Sequence, residues 1–128
     1  MQRPLDPEDK TGPTQRQLRT VKWGLVPFWA TDPKIASKHI NARAETLTVK
    51  PAFKDAFKRR RCLVVADGFF EWQKQGATRT PLFIHLEPER PFGFAGLYEI
   101  WTPPLGEKLV TCTIITTEPN ELMRPIHN

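Results

Sequence analysis

Thirteen prolines are scattered through this 128-residue chain, about twice the ordinary proline frequency of ~5%. Each one fixes φ and removes a backbone donor, so long helices and long central strands are disfavoured and many short elements are expected. The length accommodates one compact domain, since domains cluster at about 100–150 residues. Apolar runs are only a few residues long, far below the ~18–20 that a bilayer-spanning helix requires, so no membrane partner is expected. The opening Met1-Gln2-Arg3-Pro4-Leu5-Asp6 has no apolar run of a secretory signal, which makes the cytosol the expected compartment. Cys62 and Cys112 are far apart in apolar runs and are expected as reduced, buried thiols.

The formal charge of +5 is unevenly spread. Six of the 19 basic residues lie between Lys50 and Arg61, against Asp55 alone of the 14 acidic ones, so the remaining chain is balanced at 13 against 13. Such a cluster suits phosphate contacts, with Lys50 and Lys54 as candidates. A solvated helix face is the alternative reading.

Residues 1–20 are polar, with Pro4, Pro7, Gly12 and Pro13, and read as a flexible arm preceding a domain over 21–128. Val21 to Trp29 suits a short strand running into a loop. Pro51 to Lys58 predicts a short amphipathic helix, with Phe53, Ala56 and Phe57 on its inner face and Lys54 and Lys58 outside. From Cys62 the period becomes that of strands. Cys62–Ala66 reads as a buried strand, Asp67-Gly68 as a turn or bulge, and Phe69–Gln73 as a second strand. Gln75-Gly76-Ala77-Thr78 predicts a hairpin loop into Pro81–Leu86, followed by strands at Phe92–Trp101 and Leu109–Thr117. Thr117 and Pro119 open a final short helix.

Glu71 is the first candidate for chemistry. A carboxylate among Phe69, Phe70 and Trp72 is either paired or held with a raised pKa if the strand is buried, and merely solvated if it faces out. Asn41-Ala42-Arg43-Ala44-Glu45 offers an amide to orient a substrate and a guanidinium fork for phosphate or carboxylate; a charged turn is the plainer reading. His127, in a loop after Pro125-Ile126, suits a general acid or base. His39 and His85 have no zinc-ligand spacing with the cysteines, so no metal is expected. Among four tryptophans, Trp23 and Trp72 are expected to be structural and Trp29 exposed for stacking.

Four motifs then occur in one order: Trp23-Gly24-Leu25-Val26-Pro27, Asn41-Ala42-Arg43-Ala44-Glu45-Thr46, Ala66-Asp67-Gly68-Phe69-Phe70-Glu71-Trp72, and Ile126-His127. Together they resemble the SRAP family, the SOS response-associated peptidase domains that protect abasic sites in single-stranded DNA. The resemblance implies an α+β fold in which curved antiparallel sheets form an open pseudo-barrel with short helices, and a basic groove for single-stranded DNA. It implies no cofactor. By motif position Asn41 would orient the amine or sugar, Glu71 would act as general acid/base, and His127 would assist ring opening and reversal. Arg43 would grip phosphate and Trp29 would stack where the strand is interrupted.

The family's nucleophile is an N-terminal cysteine whose α-amine and thiol together close a thiazolidine on the ring-opened abasic sugar. Here Met1 is followed by Gln2 where the family has Met-Cys-Gly-Arg, and the family continues beyond the His127 motif. An internal fragment, unable to crosslink by itself, is the resulting expectation. A fragment of that kind exposes a sheet edge, so self-association is expected as well. Two other readings stand beside it: a non-covalent single-strand-binding module, and a peptidase restricted to autoprocessing.

Overall fold

The computed structural model describes residues 16–117; the helix expected after Thr117 and the candidate His127 lie outside the described residues. Residues 16–20 are exposed and irregular. The strands that follow are β1 (Lys22–Trp23), β2 (Asn41–Arg43), β3 (Arg61–Ala66), β4 (Phe69–Gln75), β5 (Thr78–Ile84), β6 (Phe92–Trp101) and β7 (Leu109–Thr116), with the helix α1 at Lys54–Arg59. The main sheet runs β1-β7-β6-β3, with β2 also bonded to β7. Antiparallel pairs β3–β6 and β6–β7 form its body, and β4–β5 is a separate antiparallel hairpin. This is the expected α+β architecture, with sheets that do not close into a barrel.

Two short strands depart from the antiparallel expectation. β1 and β2 lie end to end along one edge of β7 and both run parallel to it, opposite Thr111–Cys112 and Ile114–Thr116. A 3-10 turn over Pro33–Lys38 joins them; its Asp32 carboxylate accepts from the Lys34 amide at 2.9 Å. The Trp23 indole donates to the Ile40 carbonyl at 2.8 Å and the Leu25 amide to His39 at 3.1 Å. β1 is the short strand expected at the start of Val21–Trp29, whereas β2, three residues long, carries no alternation to read and only tertiary pairing reveals it.

Alternation along β6 and β7 gives the sheet two different faces. On one, Leu97 joins Ala42, Leu25, Leu47, Phe53 and Ala56 in the buried core, with Ile115 and Phe57 packed against it. The helix α1 therefore forms where its apolar face was expected, and Lys54 and Lys58 point to solvent. The expectation of a buried β3 fails: Leu63 and Val65 are exposed. β3 is an outer strand, and six helical residues span about 9 Å, too little to cover it.

Trp23 and Trp72 also depart from expectation. Both are half exposed, the first on a two-residue edge strand and the second on the outer side of the hairpin, whereas Trp101 is the buried indole.

The hairpin turns at Gly76-Ala77, where Gly76 takes a left-handed φ of 62° suited to a two-residue loop. At Gly68 a Cβ would stand 2.2 Å from the Phe83 ring, so glycine permits the sharp approach of β4 to its partner.

Arg60 ties the helix to the sheet. Its Nε lies 3.0 Å from Glu99 Oε1 and its Nη2 3.2 Å from Oε2, while Nη2 also donates to Asp55. Glu99 is buried, and burial pushes its carboxyl up despite Arg60 beside it. Removing one partner of such a buried pair strands the other charge, at a cost of about 3 kcal/mol. Arg60→Ala should therefore lower unfolding stability by about that amount at neutral pH. The carboxyl takes up its proton in the folded state at a pH above the ordinary value of 4.5, so the deficit should shrink as pH falls through that raised range toward 4.5 and be lost below it. Urea titrations at several pH values measure this; a deficit independent of pH would show that Glu99 is not the stranded charge.

Candidate functional site

The opposite face of the sheet carries the polar candidates. Asn41 is paired with Ile114, Ile114 with Gly96 and Gly96 with Cys62, which makes one row of side chains across four strands. Arg43 lies one row further, opposite Thr116 and toward the Phe92–Phe94 end of β6. Ala42 between them is buried in the core. Its burial turns both Asn41 and Arg43 outward, and both are exposed.

The hairpin folds toward this face. Phe69 of β4 packs edge-on against Phe94 at 5.5 Å and Phe92 at 6.4 Å between ring centroids. Glu71, two residues on, shares that inner side of β4 and is half-buried, whereas Phe70 and Trp72 point outward and are exposed. Glu71 therefore lies on the side of the hairpin opposite to Phe70 and Trp72. Asn41, Arg43 and Glu71 thus belong to two facing surfaces, one on the sheet and one on the hairpin.

The other candidates lie around this centre. Trp29 is exposed on a turn held by two hydrogen bonds, Ala30 amide to Pro27 carbonyl at 3.0 Å and Trp101 Nε1 to Ala30 carbonyl at 2.7 Å. Lys50 sits in the turn between β2 and α1, its amide donating to Thr46 at 3.0 Å, and Lys54 begins the helix; both are exposed. The helix covers the core face, so Lys54 is on the far side of the sheet from Asn41. Within the basic segment, Arg59 and Arg60 pair with Asp55.

His39 is structural, with Nδ1 3.2 Å from the Leu25 carbonyl and its ring edge-on to Phe53. Among the described residues no three His, Cys, Asp or Glu side chains stand together as a metal site. Phe92 and Phe94, which meet the hairpin, are not among the site residues expected from the sequence. Their alternation with Gly93 and Ala95 was the available signal.

A family model described as "SOS response associated peptidase (SRAP)" matches residues 5–128 and so reaches back into the arm expected over 1–20. Over 116 residues the chain is 50% identical to the abasic site processing protein YoqW of Bacillus subtilis, covering 90% of this chain and 52% of that protein. It is 34% identical over 137 residues to the abasic site processing protein HMCES of Xenopus tropicalis, covering 90% of this chain and 41% of HMCES. The chain therefore spans about half the length, or less, of these curated relatives. A crystal structure of a protein from Bacteroides thetaiotaomicron superposes with a TM-score of 0.77 at 38% identity, covering 81% of this chain and 47% of that one. One from Bordetella bronchiseptica gives 0.75 at 26% identity, over 86% and 56% respectively.

Both cysteines are free thiols inside strands, and burial pushes Cys62 up to about 11 and Cys112 upward too. At neutral pH neither is a thiolate nucleophile. Alkylation of the folded chain with iodoacetamide should be slow at neutral pH, with Cys62 gaining about tenfold per pH unit until near pH 11. A plateau below pH 9 at Cys62, read by mass spectrometry, would show an activated thiol instead.

Proposed function

Because the chain belongs to the SRAP family, we propose that it binds single-stranded DNA at abasic sites, holding the damaged sugar between the Asn41 face of the sheet and the Glu71 face of the hairpin. The observation that carries this reading is the orientation of those faces: Asn41 and Arg43 on one side of β2, and Glu71 on the side of β4 that packs against Phe94. The names of the relatives, abasic site processing proteins, support the choice of substrate.

In this reading the Asn41 amide orients the ring-opened sugar through its donor and acceptor groups. Glu71 takes the proton from the anomeric hydroxyl and returns one to the ring oxygen, which opens the ring to the aldehyde. His127 assists the same transfer. Arg43, at the end of the edge strand β2, contacts the phosphate next to the sugar, and Lys50 and Lys54, on the turn and helix that follow it, meet phosphates farther along, where the strand rounds the β2 edge. Trp29 stacks on the base beside the gap.

A thiazolidine needs an α-amine and a thiol on adjacent carbons. Cys62 and Cys112 are internal, so their nitrogens are amides, and the 128 residues by themselves bind abasic DNA without a covalent bond. A purely non-covalent single-strand module is the second reading. It is favoured by the exposure of Trp23, Phe28 and Trp29 near Lys22, Lys34 and Lys38, and it predicts equal affinity for intact and abasic strands. A peptidase restricted to autoprocessing gains no support from the site.

Fluorescence polarisation with matched oligonucleotides separates the readings. The chain should prefer the abasic strand, Glu71→Gln should remove the preference, and a denaturing gel should show no shifted band. Equal affinities would favour the plain binding module, and a band stable to denaturation would overturn the non-covalent claim. Arg43→Ala should weaken binding about tenfold and lower the slope of log K against log salt by ~0.7, the value for one single-strand phosphate contact. An unchanged slope would take Arg43 out of the phosphate path.

A further inference from the structure

Among the described residues β3 is bonded to β6 on one side and to no strand on the other. The Arg60 carbonyl accepts from the Tyr98 amide at 2.9 Å, and bonded pairs alternate along an antiparallel ladder. Cys62, Val64 and Ala66 therefore turn their backbone groups to β6, while Arg61, Leu63, Val65 and Asp67 turn theirs to the free edge. The side chains of these four are exposed, Leu63 at 72% and Val65 at 59%. Arg61 is opposite Leu97, so the four share the face on which Leu97 is buried, in the part that α1 does not cover. Arg61 and Asp67 have no ion-pair partner among the described residues.

An unpaired edge is a template for another strand, and the charges at its two ends decide which strand fits. Two copies of β3 laid antiparallel about Val64 bring Arg61 of each opposite Asp67 of the other, and Leu63 opposite Val65. All four outward-facing residues then exchange backbone hydrogen bonds with an outward-facing residue of the partner. A slip of two residues either way loses both ion pairs and one of the four bonded pairs, and a slip of one sets outward groups against inward ones. Parallel pairing would oppose Arg61 to its own copy. The hairpin edges are not complementary to themselves in this way. The outward residues of β5 are Arg79, Pro81 and Phe83, where proline removes the middle donor, and those of β4 are Phe70, Trp72 and Lys74, with no acid to meet the cation.

We propose that the free edge of β3 is a self-recognition surface, at which two copies of this chain join their main sheets by antiparallel pairing of residues 61–67. The self-association expected of an exposed sheet edge is thereby assigned to one strand and one register. The apolar side chains Leu63 and Val65 of both copies form a single strip, closed at each end by an Arg61–Asp67 pair. Exposed ion pairs contribute little alone, and the joined edge is small beside the about 800 Å² per partner of a stable complex, so the dimer forms reversibly and dissolves on dilution. The inference stands apart from the reading of the DNA site, because β6 and β7 separate β3 from the edge that carries Asn41 and Arg43.

Sedimentation velocity of the 128-residue chain across a dilution series, without DNA, tests it. The unmutated chain should pass reversibly from dimer to monomer. Arg61→Asp and Asp67→Arg each set like charges opposite one another at both ends, and each should move the midpoint to about tenfold higher concentration. Mixing these two variants opposes unlike charges again and should return the midpoint to its original place, as should the double variant Arg61→Asp/Asp67→Arg. Val65→Pro removes an outward amide without touching the ladder to β6, and it should abolish the dimer. A chain that stays monomeric at every concentration overturns the proposal. A dimer indifferent to the single reversals or to Val65→Pro overturns it too, since the contact then lies elsewhere. Single reversals that weaken the dimer with no recovery in the mixture overturn the Arg61–Asp67 register.

Discussion

Leu97, buried completely at the middle of β6, shares the core with Phe53 and Ala56 of α1 and with Ala42 of β2. The rest of the arrangement follows from which way this side chain points. β6 is bonded to β3 on one side and β7 on the other, and β7 carries β2. Turning Leu97 toward the helix therefore turns Ala42 and Ile115 inward with it, and it turns Asn41, Ile114, Gly96 and Cys62 to the other face. A slip of one residue in β2 would drive Asn41 or Arg43 into contact with Phe53, and burying such a group unpaired costs several kcal/mol. The polar-apolar-polar order of Asn41-Ala42-Arg43 thus fixes its own register.

Charge is sorted by the same geometry. The basic run from Lys50 to Arg61 looks like one patch in the sequence, but the fold divides it. Arg60 is drawn inward to Glu99 and Asp55, and Arg59 pairs with Asp55 at 3.6 Å. An exposed pair such as Arg59–Asp55 contributes little to stability; Arg60 matters because Glu99 is buried and would otherwise be a bare carboxylate. Lys50, Lys54, Lys58 and Arg61 remain on the surface. They lie along the turn, the helix and the start of β3, on the side of the sheet that holds the core, and they reach the polar face only around the β2 edge.

Much of this was legible from residue order. The strand limits at Phe92–Trp101, the inner face of α1 and the hairpin turn at Gly76 all follow from period and turn chemistry, because in each case a local rule agrees with the tertiary structure. β1 was legible as a short strand at the head of Val21–Trp29, but its parallel pairing was not, and β2 was not legible as a strand at all, since pairing with β7 depends on residues some 70 to 90 positions away. The exposure of Leu63, Val65, Trp23 and Trp72 was hidden for a related reason: an apolar side chain reads as core until the cover over it is counted. Asn41, Arg43 and Glu71 could be chosen from residue chemistry and motif order, whereas the side of the sheet that the hairpin meets needed the Phe69–Phe94 contact.

β4 puts neighbouring residues to opposite uses. Phe69 and Glu71 belong to the inner surface, Phe70 and Trp72 to the outer one, and both sets depend on a single pairing with β5 in which Glu71 faces Leu82 and Trp72 faces Pro81. Pro81 sits at a non-hydrogen-bonded position, because the bonded pairs alternate from Gln75–Thr78, so its missing amide hydrogen leaves the ladder to β4 intact. The hairpin is held at its two ends, by the Gly76 turn and by Phe69 lodged between Phe92 and Phe94. An error of one residue in the register would present Glu71 outward among the aromatic rings and bring Trp72 against the sheet. The inner and outer surfaces are therefore specified together, and a substitution that loosens Phe69 from β6 disturbs both of them at once.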